Sequence, residues 1–299
     1  MTAPPISVSG TRVMTLLARH GADKYRDALP DIRALFAQQM PEFGHEVVVI
    51  DNALDRDHAE RLGPGTVLIG GDNAAWEFSA WDCGVAHLGP RLDEYDWVHL
   101  ATSAFRQLYT RYLGRFDADM LGLAAGRAVA VGHIDHFNEP VAFAGRSLQS
   151  WLRSSFVLLP PAELRLLGSL NSVTGRSRLF TGDPTAPFCG DAPLSTSYQQ
   201  NILGWLTGAG TGQGTEWHSR FALSEQTLRF FEDKAVAVLN EQMLTSRLRA
   251  QGCGVVDATW LATRAGQSFP AVRPLGAIPD WRIQVTSRDV DAASPAILP

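Results

Sequence analysis

Across the first hundred residues four short apolar runs alternate with longer amphipathic stretches, and that alternation leaves few folds open. The runs are Val13 to Leu17, Val47 to Ile50, Thr66 to Ile69 and Trp97 to Leu100. The second, Val47-Val48-Val49-Ile50, has no polar interruption, the pattern of a strand buried on both faces. After the first run, Tyr25, Leu29, Ile32, Leu35, Phe36 and Met40 recur near helical spacing until Pro41 stops them. Asp57 to Leu62 reads as a short helical piece before the Gly63-Pro64-Gly65 turn. Phe78, Trp81, Val85 and Leu88 then mark one helix face, ended by Gly89-Pro90. The order β-α-β-α-β-α-β predicts a parallel sheet with right-handed crossovers.

Ligands of such sheets collect outside the carboxyl ends of the strands. The polar residues that close each run are therefore expected on one rim: Asp51-Asn52, Gly70-Gly71-Asp72-Asn73 and Ala101-Thr102-Ser103. Asp51 is placed to accept hydrogen bonds from a ribose or nucleobase edge, or to cap the turn that follows it. Glycines beside Asp72 and Asn73 let a ligand approach the backbone closely. Glu77 and Asp82, on the following helix, reach toward the same cleft or lie on its surface.

Beyond residue 103 the pattern predicts helix over 104–125, short strands at Ala128–Gly132 and Phe156–Leu159, and a long helix over 222–250. Composition narrows the function classes. With 299 residues, 45% of them hydrophobic, the chain can bury a large core. A net charge of -5 with no basic block leaves no electrostatic footprint for nucleic acid. Cys83, Cys189 and Cys253 are odd in number and form no CxxC, which argues against a disulfide framework or a cysteine zinc site. No apolar run approaches the ~18 residues of a spanning helix, and the start shows no secretory signal. The expected setting is cytoplasmic, with a peripheral position at the inner face of a membrane as an extension.

HEVVVIDNALDRD resembles the second strand and turn of GT-A-type glycosyltransferases, and GGDNAAWEFSAWDCGV is similar to their Asn-rich turn and following helix. YDWVHLATS stands where that family carries its acidic Asp-x-Asp strand end. Within the family, the Glu-Phe-x-x-Trp helix and Tyr-Asp-Trp strand resemble the bacterial polysaccharide-assembly enzymes of the rhamnan-synthesis type. The resemblance covers about residues 12–105 and implies a GT-A-like, Rossmann-type, mostly parallel sheet flanked by helices. It also implies one domain over 11–285, with a nucleotide-sugar half (11–105) and an α+β acceptor half (106–285) between loose tails at 1–10 and 286–299. The implied activity is hexosyl or deoxyhexosyl transfer from a nucleotide-sugar donor to a saccharide, lipid-linked or other hydroxyl acceptor, in surface polysaccharide or glycoconjugate synthesis. On this reading Asp51, Asn52, Asp72, Asn73, Glu77, Asp82, Thr102 and Ser103 bind the donor.

One departure stands out. GT-A enzymes usually hold Mn²⁺ or Mg²⁺ with the acidic pair, because hard cations prefer charged oxygen ligands. Here Ala101-Thr102-Ser103 occupies that place, so no metal ligand is assigned: either the enzyme is metal-independent, or Mn²⁺ or Mg²⁺ is held differently, or the chain is a GT-A-like scaffold that binds nucleotide or glycan without catalysis. Positive charge for the diphosphate would come from Arg106, Arg111 or His99. Asp117-Ala118-Asp119 supplies a literal Asp-x-Asp, but after a helical pattern instead of a strand. An inverting transferase needs a carboxylate to take the acceptor proton, and Asp135, Glu139 and Glu241 are candidates, with His218 a further catalytic candidate. Trp151 with Arg153, and Trp217, are candidate acceptor contacts, since aromatic faces cover the C–H face of a pyranose.

Overall fold

The computed structural model describes residues 10–107, 110–211, 220–266 and 275–292. The chain begins β1 (Arg12–Arg19), α1 (Ala28–Gln39), β2 (Gly44–Asp51), β3 (Ala59–Gly63), β4 (Thr66–Gly70), α2 (Glu77–Leu88) and β5 (Trp97–Thr102). It continues α3 (Ala118–Ala124), β6 (Val129–Phe143), β7 (Arg146–Leu159), α4 (Pro161–Leu167), α5 (Thr196–Thr207), α6 (Glu225–Ala250), β8 (Gly254–Asp257), α7 (Ala258–Gly266) and α8 (Trp281–Ala292). All eight strands join one sheet in the order β3-β4-β2-β1-β5-β7-β6-β8. Neighbours β4, β2, β1 and β5 are parallel, β6 and β8 run the same way, and β3 and β7 run against them. This is the mostly parallel, helix-flanked sheet expected.

Alternate side chains of the central strands feed two different cores, as a period of two requires. Val13, Leu17, Val47 and Val49 pack with Ile32, Leu35 and Phe36 of α1 on one face. Met14, Leu16, Val48 and Ile50 pack with Phe78 and Trp81 of α2 on the other. Phe78 and Trp81 are fully buried, and each such side chain stabilises the fold by about 1.5–3 kcal/mol. The Trp81 indole Nε1–H donates to the Leu16 carbonyl at 3.0 Å, so α2 is fixed in angle as well as in depth. A third core lies between the outer part of the β6–β7 hairpin, α5 and α6, centred on Phe137, Trp151, Tyr198 and Phe231.

Four local expectations are corrected. Residues 59–63 form a strand antiparallel to β4, because the Gly63-Pro64-Gly65 turn folds them back on it as a hairpin. Within the described part of 104–125, helix is confined to a single 3₁₀ turn at Arg111–Arg115 and to α3. The two short strands are the inner ends of a long hairpin, 15 and 14 residues, that continues past the sheet. Residues 286–292, expected in a tail, are the last turns of α8.

Candidate active site at the strand ends

β1, β2, β4 and β5 end side by side: Arg19 pairs with Asp51, Asp51 with Gly70, and Ala18 with Thr102. The polar strand endings thus share the rim that the sequence implied. Asp51 is buried and its carboxylate is already engaged, by Arg19 Nε at 2.7 Å, Gly21 N at 2.7 Å and Ala53 N at 3.0 Å. Burial pushes its pKa up, but the two backbone N–H donors and the guanidinium outweigh this and hold it below the usual carboxylate range. Asn52 Nδ2 donates to the Trp76 carbonyl at 3.0 Å and to Asn73 Oδ1 at 3.3 Å, tying the ends of β2 and β4 together. The glycines are required for this approach. A Cβ on Gly70 would lie 1.7 Å from the Asp55 carbonyl oxygen, and one on Gly71 2.1 Å from Asn52 Oδ1.

Asp72 caps its own turn through Ala74 N and pairs with Arg56. Asp82 faces away from the rim and holds the 169–171 segment, accepting from Ser169 Oγ at 2.5 Å and Leu170 N at 2.6 Å. Its expected place in the cleft is corrected by that engagement. Thr102 and Ser103 are half-buried at the end of β5.

The densest chemistry lies one strand further on. Between Gly132 and Ile134 of β6 and the opposing Val157 and Leu152 of β7 the register slips, a bulge that re-aims the side chains on both strands. Asp135 Oδ2 accepts from Arg153 Nε at 3.0 Å and Nη2 at 2.7 Å, and its Oδ1 lies 3.3 Å from His133 Nε2. Against the upward push of burial, His133 and the Arg153 charge hold the Asp135 carboxyl far below its ordinary range. Glu241, from α6, accepts from Ser154 N at 2.6 Å. Burial pushes this carboxyl up to about 7; the Ser154 hydrogen bond offsets part of the rise and the Asp135 charge adds to it. Ser154 Oγ donates to Glu77 Oε1 at 3.3 Å, so one serine joins a carboxylate of α2 to one of α6. Burial raises Glu77 as well, with Lys234 acting against it. Tyr112 closes the group, stacked 4.9 Å from His133 with its hydroxyl 3.3 Å from Ser155 Oγ; burial raises that phenol to about 12.

Asp135, Arg153, Glu241 and Glu77, assigned to three different roles from sequence, are therefore one cluster. Trp151 is not part of it. It is 1% exposed and packed against Phe137 at 4.7 Å, so it has no face for a sugar. Trp217 and His218 lie outside the described residues. His99 is buried on β5, hydrogen-bonded to Thr15 at 3.0 Å, and burial holds its pKa well down, so it carries no charge to a ligand. Arg106 pairs with Asp31. Asp117 is the N-cap of α3 and Asp119 is exposed on that helix, so this Asp-x-Asp is a helix start. Glu139 is exposed at the far end of the hairpin.

Three features escaped the sequence reading. Asp257 ends β8 fully buried, accepting from Ile134 N at 3.0 Å and pairing with Arg288 of α8 at 2.9 Å, which ties the C-terminal helix to the bulge. Trp76 adopts φ 54° and ψ -126°, a conformation that costs a non-glycine residue about 1–3 kcal/mol. Lys234 lies 5.0 Å from its ring. A signal for Glu241 was present: Asn240, Glu241 and Gln242 put three consecutive polar residues in an otherwise apolar-periodic helix, and Asn240 and Gln242 are both buried.

Among the described residues, no three His, Cys, Asp or Glu side chains are arranged to hold a metal ion. At the end of β5, Ala101, Thr102 and Ser103 offer two hydroxyls and no charged ligand. Two open concavities of about 450 and 570 Å³ lie at the amino ends of the strands, beside Thr11 and Trp97 and beside Glu46 and Thr66, on the side away from this chemistry. No described helix is long and apolar enough to cross a membrane.

No protein-family model and no curated protein matches the chain. Among solved structures it is similar to the mannosyltransferase PcManGT of Pyrobaculum calidifontis, determined in complex with GDP-mannose and Mn²⁺. The identity is 12% and the TM-score 0.33, over 98% of this chain and 84% of that one.

Proposed function

We propose that this chain transfers a glycosyl group from a nucleotide-diphospho-sugar to a hydroxyl of a saccharide or other acceptor, with Glu241 as general base. The observation that carries the reading is the pair of carboxyls on the rim, one poised near neutrality and one held ionised. Environments that drive two such groups apart divide acid–base work between them. Glu241 takes the proton of the acceptor hydroxyl as that oxygen bonds to the anomeric carbon and the bond to the diphosphate breaks. Asp135 remains ionised and, through Arg153, fixes the bulge that presents Ser154 to Glu241. On the donor side Asn73, Thr102 and Ser103 supply neutral hydrogen-bonding groups for the nucleotide-sugar. The resemblance of the first hundred residues to rhamnan-type enzymes supports polysaccharide or glycoconjugate synthesis as the setting. A lipid-linked acceptor would bring the protein to a membrane surface.

A second reading, a scaffold that binds nucleotide or glycan without turnover, is favoured by the Ala101-Thr102-Ser103 strand end alone. Thermal shift against UDP, GDP, dTDP and their sugars, GDP-mannose included, with and without Mn²⁺, separates the two when followed by turnover. Glu241→Gln is expected to keep the nucleotide response and lose turnover by about 10²–10⁴-fold. A wild type that responds to no nucleotide refutes the donor site. A response with no turnover of any donor leaves the scaffold.

A further inference from the structure

A second surface adjoins this cluster. Trp76 immediately precedes Glu77, and its ring centroid is 6.1 Å from that of Phe230 on α6, with the planes tilted by 38°. Phe230 is 44% exposed, although it belongs to a helix whose other large apolar residues are mostly buried. Phe221 meets it edge-on at 5.2 Å. The Lys234 ammonium lies 5.0 Å from the Trp76 ring and 5.6 Å from the Phe230 ring. The Asn52 amide donates to the Trp76 carbonyl, and the Trp76 backbone keeps an unfavourable conformation that places a half-buried indole beside Phe230.

A half-buried indole and a partly exposed phenyl ring with an ammonium beside them suit a molecule with an apolar C–H face and hydroxyls at its edge. That is the chemistry of a pyranose. A nucleobase would call for a flat slot, and rings tilted by 38° do not form one. Position adds length to the argument. Phe230, Lys234 and Glu241 lie on one stripe of α6, at i, i+4 and i+11, and the helix rise separates Phe230 from Glu241 by ~16 Å. A sugar held there cannot also present the reacting hydroxyl.

We infer that Trp76 and Phe230 form a subsite for a distal sugar of the acceptor, so that the acceptor is an oligosaccharide of two or three units that runs along α6 to Glu241. This rests on the glycosyltransferase reading above and names its acceptor class.

The test uses the full chain saturated with GDP or UDP. Saturation-transfer NMR is run with methyl glycosides and linear trisaccharides of glucose, mannose, galactose and rhamnose. At least one trisaccharide is expected to bind tenfold or more tightly than its methyl glycoside, with saturation on ring C–H protons of the distal unit. Trp76→Gly, which also relieves the backbone strain, and Phe230→Ser should each bring that trisaccharide down to the glycoside's affinity while nucleotide affinity stays within twofold. Trisaccharide binding unchanged in both variants overturns the inference, as does a wild type that binds nucleotide but no saccharide. Loss of nucleotide binding in the variants, with saturation on base protons, overturns it by assigning the rings to the nucleobase. A wild type that binds neither nucleotide nor saccharide removes the glycosyltransferase reading as well.

Discussion

Replacing Glu241 by Gln should stabilise the protein, increasingly as the pH rises from about 4.5 through about 7. The folded state holds this carboxyl at about 7 against an ordinary value of 4.5. A carboxyl whose pKa is raised on folding binds its proton more tightly in the folded chain. Its stabilising contribution is therefore complete below about pH 4.5 and is lost as the pH rises through about 7. The rise corresponds to about 3 kcal/mol, an order-of-magnitude figure. Gln offers the same carbonyl acceptor to Ser154 N and has no charge to desolvate, so the variant avoids the loss. At about 2–4 °C per kcal/mol for a large domain, unfolding near pH 8 should move up by roughly 6–12 °C, with much less change near pH 5. Calorimetry of wild type and variant at the two pH values measures this, and ¹³C NMR titration of the Glu241 side chain gives the pKa directly. Equal melting temperatures at both pH values, or a Glu241 titration near 4.5, would refute the assignment of Glu241 as a group kept poised at the expense of stability.

Other outcomes follow from the same geometry. Arg288→Met removes the cation beside the fully buried Asp257 carboxylate and should cost about 3 kcal/mol, read as a lower urea midpoint; a neutral result would mean that the three backbone N–H donors alone satisfy Asp257. Gly70→Ala forces a Cβ to within 1.7 Å of the Asp55 carbonyl oxygen and should destabilise by about 1–3 kcal/mol or more, with loss of nucleotide response, in the same denaturation and thermal-shift assays. Burial first, and the Arg33 charge second, hold His45 at about 3, so the unfolded chain takes up a proton near 6.5 that the folded chain refuses; stability should fall as pH drops from 6.5 toward 3, and a less steep fall is expected for His45→Gln.

The first half of the fold was legible because each of its elements depends on local signals. Val47 to Ile50 is apolar at every position, as a strand covered on both faces must be, and Phe78 and Trp81 keep helical period because α2 has one buried stripe. The hairpin of β6 and β7 was read only at its inner ends. Beyond Gly132 the strands leave the parallel sheet, and their sequence mixes polar and apolar residues around the bulge, so no clean period of two survives. The rim of β1, β2, β4 and β5 was placed by strand endings alone, but the meeting of Asp135, Arg153, Glu77 and Glu241 was not. Those residues converge from a bulged hairpin, the start of α2 and the middle of α6, and a pairing across 77 or 87 positions leaves no mark in local spacing. Trp151 misled for a simpler reason. Its neighbours at 150 and 153 are polar, but polar neighbours do not fix where an indole points, and this one packs inward against Phe137.

The 26 residues of α6 carry Phe230, Lys234 and Glu241 on a single stripe. The proposed base and the proposed distal subsite are thus fixed on one rod, and their spacing is set by helix rise, not by loop conformation. Changing which oligosaccharide is accepted would then need only substitutions along that stripe, with the strand-end rim left intact. Lengthening the reach between the two points would need a whole extra turn, because inserting a single residue would rotate one of them off the stripe by about 100°.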